Sequence, residues 1–199
     1  MLSIFETLGI ATFAISGVIE AERRGMDFVG AYAIAFLTAL GGGTLRDLLL
    51  NRHPLLWVDR PGIPLLIFGI ALLTVIVLRF NWFHLNDESI VIPDALGLGL
   101  FSATGASIAL QVGVSPVVAV LMGVITATFG GVMRDIACNV VPVIFRRGQL
   151  YATCAFFASL SFVVLASLGA EYSLAVLTSV VIAAALRLWA VWYDVKLPL

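Results

Sequence analysis

Apolar residues form seven long runs along the chain, separated by short polar segments. A helix needs about 20 mostly apolar residues to cross the hydrocarbon core of a bilayer. Each run has roughly that length, and no polar segment is long enough to hold a soluble domain. The pattern therefore predicts seven transmembrane helices in one membrane domain, residues 1–199. The predicted spans are 2–21, 28–51, 62–80, 91–111, 115–140, 150–168 and 172–193.

The composition strengthens the membrane prediction. Of the 199 residues, 61% are hydrophobic and 12% are charged, and the mean hydropathy is +1.10. Soluble domains carry about 25% charged residues, so an all-α integral membrane protein is predicted. The net charge of −1 gives no basis for binding nucleic acid. The N-terminal segment lacks the basic start of a secretory signal, and no targeting segment is evident. We expect a multi-pass protein of a prokaryotic inner (plasma) membrane, with the lipid bilayer as its surroundings.

One motif occurs twice in the chain. Residues 42–54 are GGTLRDLLLNRHP and residues 130–142 are GGVMRDIACNVVP, an offset of 88 (130 − 42 = 88). Phenylalanine and glycine positions of the preceding helices match at the same offset. The matches divide the domain into repeat one (2–80), repeat two (90–168) and a seventh helix (172–193). Because each repeat has three spans, an odd number, successive repeats enter the membrane from opposite sides, which predicts inverted repeats.

Basic residues predict the orientation. The side richer in lysine and arginine usually faces the cytoplasm. Arg52 and Arg60 lie on one predicted side, so the N-terminus should be outside and the C-terminus cytoplasmic. The richer side holds Arg23, Arg24, Arg79, Arg146, Arg147, Arg187 and Lys196.

Glycine tracts interrupt the second and fifth spans. Gly41, Gly42 and Gly43 lie in the second span, and Gly130 and Gly131 lie in the fifth. Glycine inside a helix costs about 1 kcal/mol relative to alanine, so both helices are predicted to break there. Carbonyls freed near Gly42 and Gly130 would hold K⁺ or Na⁺ transiently. The alternative is that the glycines allow close helix packing.

A charged pair follows each glycine tract: Arg46 with Asp47, and Arg134 with Asp135. Ionisable residues within spans are costly and usually functional. Neighbouring side chains point about 100° apart around a helix, so we expect pairing across the repeats, Arg46 with Asp135 and Arg134 with Asp47. The charged pairs either line a polar path or only clamp the repeats together.

Four further polar residues match between the repeats. Asn51 and Asn139 follow the charged pairs, and they either line a vestibule or end a helix. Glu6 and Asp94 begin the first helix of each repeat, where they either attract cations or favour a helix N-terminus.

Other chemistry has little support in the sequence. His53 and His84 have no second ligand at metal spacing, and Cys138 and Cys154 lie in apolar surroundings. We therefore predict no metal site and no cofactor. No nucleophile and base are placed together, so we predict that the protein is not an enzyme.

The doubled Gly-Gly-x-x-Arg-Asp motif, the three-plus-three repeat and the seventh helix resemble the prokaryotic trimeric intracellular cation (TRIC) channel family. The resemblance covers essentially the whole chain. It implies a homotrimer with a pore in each subunit, lined by the broken second and fifth helices and permeable to monovalent cations, chiefly potassium. The pore residues carried over are Gly41, Gly42, Gly43, Arg46, Asp47, Gly130, Gly131, Arg134 and Asp135.

The leading hypothesis is thus a potassium-permeable channel. A secondary transporter of a small zwitterion such as glycine is the alternative, because inverted repeats with broken helices are also a transporter architecture. Arginine would hold the carboxylate of the zwitterion and aspartate its ammonium. Some bacterial relatives in this broad family are associated with glycine uptake. A membrane scaffold without transport would leave the doubled motif unexplained.

Overall fold

The computed structural model describes residues 2–80, 89–146, 150–193 and 195. In these residues the chain is helical, and the seven predicted spans coincide with seven long helices whose ends differ from the prediction by at most three residues. The helices are α1 (Leu2–Arg23), α2 (Phe28–Leu49), the short α3 (Leu56–Asp59), α4 (Gly62–Arg79), α5 (Val91–Val112), α6 (Pro116–Ala137), α7 (Tyr151–Ser167) and α8 (Tyr172–Trp192), with a 3-10 turn at Val143–Phe145.

The helices have the length and composition of membrane spans. Six of those described are long and apolar enough to cross a bilayer, and the 22 residues of α2 span about 33 Å. Large apolar side chains such as Leu65, Leu73 and Val181 are exposed on the outer faces, where lipid would cover them. The prediction of an all-helical membrane protein is confirmed. Helix α7 has 17 residues, so the count of seven spans stays a prediction.

The helices of the two predicted repeats pack in the same way. In the first, α1, α2 and α4 contact one another, and in the second α5, α6 and α7 do the same. Contacts of α1 with α5 and of α2 with α6 join the two groups, while α8 packs on α5 and α7. Helix α5 is the most buried and α4 is the most exposed. The first and second helices of each group contact each other, and they carry the buried ion pairs described below.

Equivalent residues meet where α2 crosses α6. A Cβ at Gly42 would collide with the carbonyl oxygen of Thr126, and a Cβ at Gly130 would collide with that of Thr38. The two contacts are reciprocal at the offset of the repeat, since 126 − 38 = 88 and 130 − 42 = 88. Such reciprocity is the signature of a two-fold relation between partners. The inverted orientation of the repeats in the membrane stays a prediction.

The predicted helix breaks are wrong. Both α2 and α6 remain α-helical through Gly41–Gly43 and through Gly130 and Gly131. Their carbonyls stay in the helical hydrogen-bonding pattern, so the expected freed carbonyls near Gly42 and Gly130 are not formed. The penalty of about 1 kcal/mol per glycine is offset by backbone packing that a larger residue would prevent. The close-packing interpretation is the one that the structure bears out.

Some residues used to predict the orientation and the absence of a metal site lie outside the described residues or in other surroundings than expected. Arg147, Lys196 and His84 lie outside the described residues. Arg187 is buried, with its Cζ 5.1 Å from the centroid of the Tyr151 ring, so it is not the boundary charge that the orientation argument assumed. The two cysteines are free and buried, as their apolar surroundings predicted.

Candidate functional site

The two halves of the site share the same backbone geometry where α2 and α6 end. Asn51 and Asn139 have left-handed backbone conformations, with φ of 51° and 55°. The N–H of Asn51 donates to the carbonyl of Leu48 (3.2 Å), and that of Asn139 donates to Ile136 (2.9 Å). Asparagine tolerates this conformation better than most residues, and it is the usual alternative to glycine at this position. Both asparagines therefore end a helix, one of the two roles expected.

The same turn returns the chain to the aspartate. The N–H of Arg52 donates to the carbonyl of Asp47 (2.8 Å), and the N–H of Val140 donates to that of Asp135 (2.9 Å). Together with the bonds of the asparagines, these form a Schellman motif at each helix end. The residue five positions after each aspartate is thus fixed beside it.

The first repeat holds a buried arginine between two carboxylates. Arg46 is 1% exposed; its Nε lies 2.9 Å from Asp47 Oδ1, and its Nη2 lies 3.1 Å from Glu6 Oε1. Arg52 Nη1 approaches the same oxygen of Asp47 at 3.1 Å. We call Glu6, Arg46, Asp47 and Arg52 the Arg46 cluster. Its two acidic and two basic groups balance.

The second repeat holds a matching cluster. Arg134 Nε lies 3.0 Å from Asp135 Oδ1, and Arg134 Nη1 lies 2.7 Å from both Asp94 Oδ1 and Ser16 Oγ. The other oxygen of Asp135 accepts the backbone N–H of Val143 at 2.9 Å. We call Ser16, Asp94, Arg134 and Asp135 the Arg134 cluster. Ser16 comes from α1, so this cluster also links the two repeats.

The predicted cross-pairing is therefore wrong. Each arginine binds its own neighbour and a carboxylate of the same repeat, 40 residues earlier in both cases (46 − 6 = 40 and 134 − 94 = 40). The long arginine side chain folds back along its helix, which lets Nε reach a carboxylate that starts about 100° away. Glu6 and Asp94 are partners of arginine rather than free mouth charges. Both pairs lie near the helix C-terminus, where the dipole favours the arginine.

A polar cavity of about 290 Å³ opens over the Arg46 cluster. Every residue that lines it belongs to repeat one, and three acidic and three basic side chains take part. A second, smaller cavity of about 10 Å³ shares Glu6 and Asp47 with the first and is also lined by Gly43 and Phe101. The cavity is lined by Glu6, Arg46, Asp47, Asn51, Arg52, His53, Pro54, Leu56, Asp59 and Arg60.

The structure separates the predicted pore residues into groups. Arg46, Asp47 and Asn51 line the cavity, and Gly43 lines the smaller cavity beside it. Gly41 faces Met133 and lines an apolar groove with it. In the second motif, Arg134 and Asp135 belong to the other cluster, and Gly131 lies beside Arg134. Gly130 packs on the carbonyl of Thr38 where α2 crosses α6, and Asn139 ends α6.

Two contributors to the clusters had no assigned role in the sequence prediction, and each left a signal. Arg52 was counted only as a loop charge, although it stands five positions after Asp47, where a Schellman turn returns the chain. Ser16 is a polar residue within the apolar sequence of α1, which is its only signal. Glu6 and Asp94 match at the offset of the repeat, and their common 40-residue spacing to arginine is the stronger signal.

These observations define an all-helical, multi-pass membrane protein with two related buried ion-pair clusters. A family model described as "Glycine transporter" matches residues 3–79 and again residues 91–167. The two matches begin 88 residues apart (91 − 3 = 88). The chain belongs to this glycine transporter family.

Curated relatives extend over the whole chain. A UPF0126 membrane protein of Vibrio cholerae is 32% identical, covering 100% of this chain and 82% of the relative. The UPF0126 inner membrane protein YadS of Escherichia coli K12 is also 32% identical, covering 97% of this chain and 93% of YadS. This chain is accordingly a multi-pass protein of the inner membrane.

The fold is that of the prokaryotic TRIC channels, so the resemblance found in the sequence is confirmed. The TRIC orthologue from Rhodobacter sphaeroides superposes with a TM-score of 0.88 at 38% identity, covering 96% of this chain and 98% of the orthologue. A structure described as explaining conductance through TRIC cation channels gives 0.84 at 36% identity, covering 99% and 96%. These similar structures are of channels, in agreement with the prediction that the chain is not an enzyme.

Proposed function

We propose that this protein is a channel for monovalent cations, mainly potassium. The similar TRIC structures support the cation channel. In the proposal the protein is a homotrimer with one path in each subunit, the N-terminus outside and the C-terminus in the cytoplasm. The path runs along α2 and α6, the second and fifth long helices. The observation that carries the proposal is the Arg46 cluster at the floor of a polar cavity.

Apart from the exposed Arg52, the charges of the cluster favour a cation over an anion. Arg46 is neutralised by Glu6 and Asp47 together, which leaves one negative charge next to the cavity before Arg52 is counted. Carboxylates at a narrow place bounded by low-dielectric walls concentrate cations. The buried arginine thus organises the two carboxylates instead of repelling the permeant ion.

The proposed path continues from the cavity toward the second cluster. Phe101 lines the smaller cavity, and its ring centroid lies 5.0 Å from that of Phe13. Phe13 lies beside Gly130, which precedes the Arg134 cluster in α6. The phenylalanine pair would form an apolar constriction between the two polar clusters, a common form of gate.

Single-channel recording of the purified protein in planar bilayers, with a potassium gradient, tests the proposal. Discrete openings that reverse near the potassium equilibrium potential are expected. Asp47→Asn should lower potassium conductance and selectivity over chloride, because it removes a carboxylate from the cavity. Glu22→Gln is the matched control, since it removes one negative charge about 24 Å along α1 from Glu6. Equal conductance in the two variants would contradict the assigned role of Asp47.

A glycine carrier is the second candidate. Arg46 Nη1 has no hydrogen-bond partner among the described residues, so a donor remains for a carboxylate beside a cavity that also holds acidic groups. The description of the matching family favours the same substrate. Saturable glycine uptake into proteoliposomes, from a preparation that shows no discrete openings, would replace the channel proposal by this one.

A further inference from the structure

Arg52 marks the clearest chemical difference between the two clusters. Position 52 of repeat one corresponds to position 140 of repeat two (140 − 52 = 88), where the residue is valine. Both residues are fixed beside their aspartate by the same turn. Only repeat one therefore places a guanidinium there.

The two aspartates are consequently held in different ways. Asp135 receives its additional hydrogen bond from the backbone N–H of Val143. A backbone donor is fixed by the fold and cannot rotate away as a side chain can. Asp47 receives its additional bond from the side chain of Arg52, which is 42% exposed and lines the cavity. The Asp47 side chain is only 5% exposed, but it keeps its bond from Arg46 Nε when Arg52 turns toward solvent. The Arg52 side chain can therefore leave without stranding an unpaired buried carboxylate.

We propose that Arg52 is a tethered cation that competes with the permeant ion for Asp47 at the mouth of the path. The inference rests on the proposed channel function. With Arg52 in place, the Arg46 cluster is neutral. When Arg52 turns away, Glu6 and Asp47 outweigh Arg46 by one charge, and the site attracts a cation. Arg52 thus sets how strongly potassium is drawn into the cavity.

The other two basic residues of the cavity do not fit this role. Arg46 is 1% exposed and is held by two carboxylates. Arg60 lines the same cavity, and its side chain is 57% exposed, but its ion pair is with Asp59 at 3.8 Å. Arg60 therefore provides a matched control for removing a positive charge from the cavity without freeing Asp47.

The test compares Arg52→Gln with Arg60→Gln in single-channel recordings. In 0.1 M KCl, Arg52→Gln should raise potassium conductance about twofold, the Boltzmann factor for two unit charges about 5 Å apart in water when the Debye length is about 10 Å. In 1 M KCl the Debye length falls to about 3 Å, so the ratio to the original protein should approach one. Arg52→Lys keeps the charge and should stay near the original conductance, and Arg60→Gln should change it much less than Arg52→Gln.

A binding measurement separates this inference from the channel proposal. The unfolding temperature of each purified variant is recorded in KCl and in the chloride salt of a bulky organic cation at equal ionic strength. A bound ion stabilises the folded protein, so potassium should stabilise Arg52→Gln more than the original protein or Arg60→Gln. Equal potassium stabilisation in all three, or equal conductance changes in the two glutamine variants, would overturn the role of Arg52. Absence of conductance with the predicted binding difference would overturn only the channel.

Discussion

Replacing Gly42 by alanine tests whether the glycines serve packing or helix opening. A Cβ at Gly42 would meet the backbone carbonyl of Thr126 on α6, which cannot turn aside. A Cβ at the adjacent Gly43 would meet only Arg46 Nη2, at an ordinary 3.8 Å. The two positions differ by one residue within the same helix, so Gly43→Ala is a close control.

The expected magnitudes follow from two opposing effects. Alanine favours a helix by about 1 kcal/mol relative to glycine, and both variants receive this gain. Overpacking costs about 1–3 kcal/mol, and the rigid carbonyl places Gly42→Ala at the upper end. Gly42→Ala should therefore lower the free energy of unfolding by about 2 kcal/mol, whereas Gly43→Ala should leave it unchanged or raise it by up to about 1 kcal/mol.

Reversible unfolding of the purified protein in mixed micelles with increasing denaturing detergent measures the difference. Tryptophan fluorescence follows the transition, and the Gly130→Ala variant, at the equivalent crossing, should behave like Gly42→Ala. If Gly43→Ala is as destabilising as Gly42→Ala, the packing explanation fails. If all three variants are neutral, α2 and α6 do not meet as closely as the structure shows.

Two further results are expected. In a double-mutant cycle of stability, Glu6→Gln and Arg46→Gln should couple by about 1–3 kcal/mol, because each substitution leaves the other charge buried without its partner. Arg46→Gln and Asp135→Asn should instead be additive within about 0.5 kcal/mol. The reverse pattern would support pairing across the repeats. Burial raises the pKa of the Cys138 thiol, just after the end of α6, so less thiolate is present at pH 8 than for an exposed cysteine. Maleimide should label Cys138 more slowly than a cysteine placed at Arg60 in a cysteine-free background, with a rate that still rises above pH 9, and equal rates would contradict this.

The helices were predictable because their physical signal is strong. A run of about 20 apolar residues leaves few alternatives to a spanning helix, and charged or turn-forming residues mark its ends. Asp27 and Ser115 begin α2 and α6 as side-chain caps, and Asn51 and Asn139 end them. The offset of 88 then identified the three pairs of equivalent residues that the two clusters share: Glu6 and Asp94, Arg46 and Arg134, and Asp47 and Asp135.

The glycine and arginine predictions failed for a different reason. The low helix propensity of glycine depends only on the residue itself. The reason for glycine at position 42 is instead its close contact with a carbonyl on α6, which no local sequence pattern reveals. The pairing argument considered only the direction of Cβ and neglected the reach of arginine. The carboxylate 40 residues before each arginine was visible in the sequence, but the neighbouring helix that carries it had to be placed first.

The pairing of Arg46 with Glu6 has a consequence for biogenesis. Both partners lie within the first 49 residues, on α1 and α2. A charged side chain in a spanning helix costs up to about 2.5–3.5 kcal/mol on translocon scales, the value for the helix centre, and less toward the ends, where Arg46 lies. A nascent α1–α2 hairpin can neutralise its arginine before α5 and α6 have been synthesised. Insertion of the first half into the bilayer therefore does not have to wait for the second half.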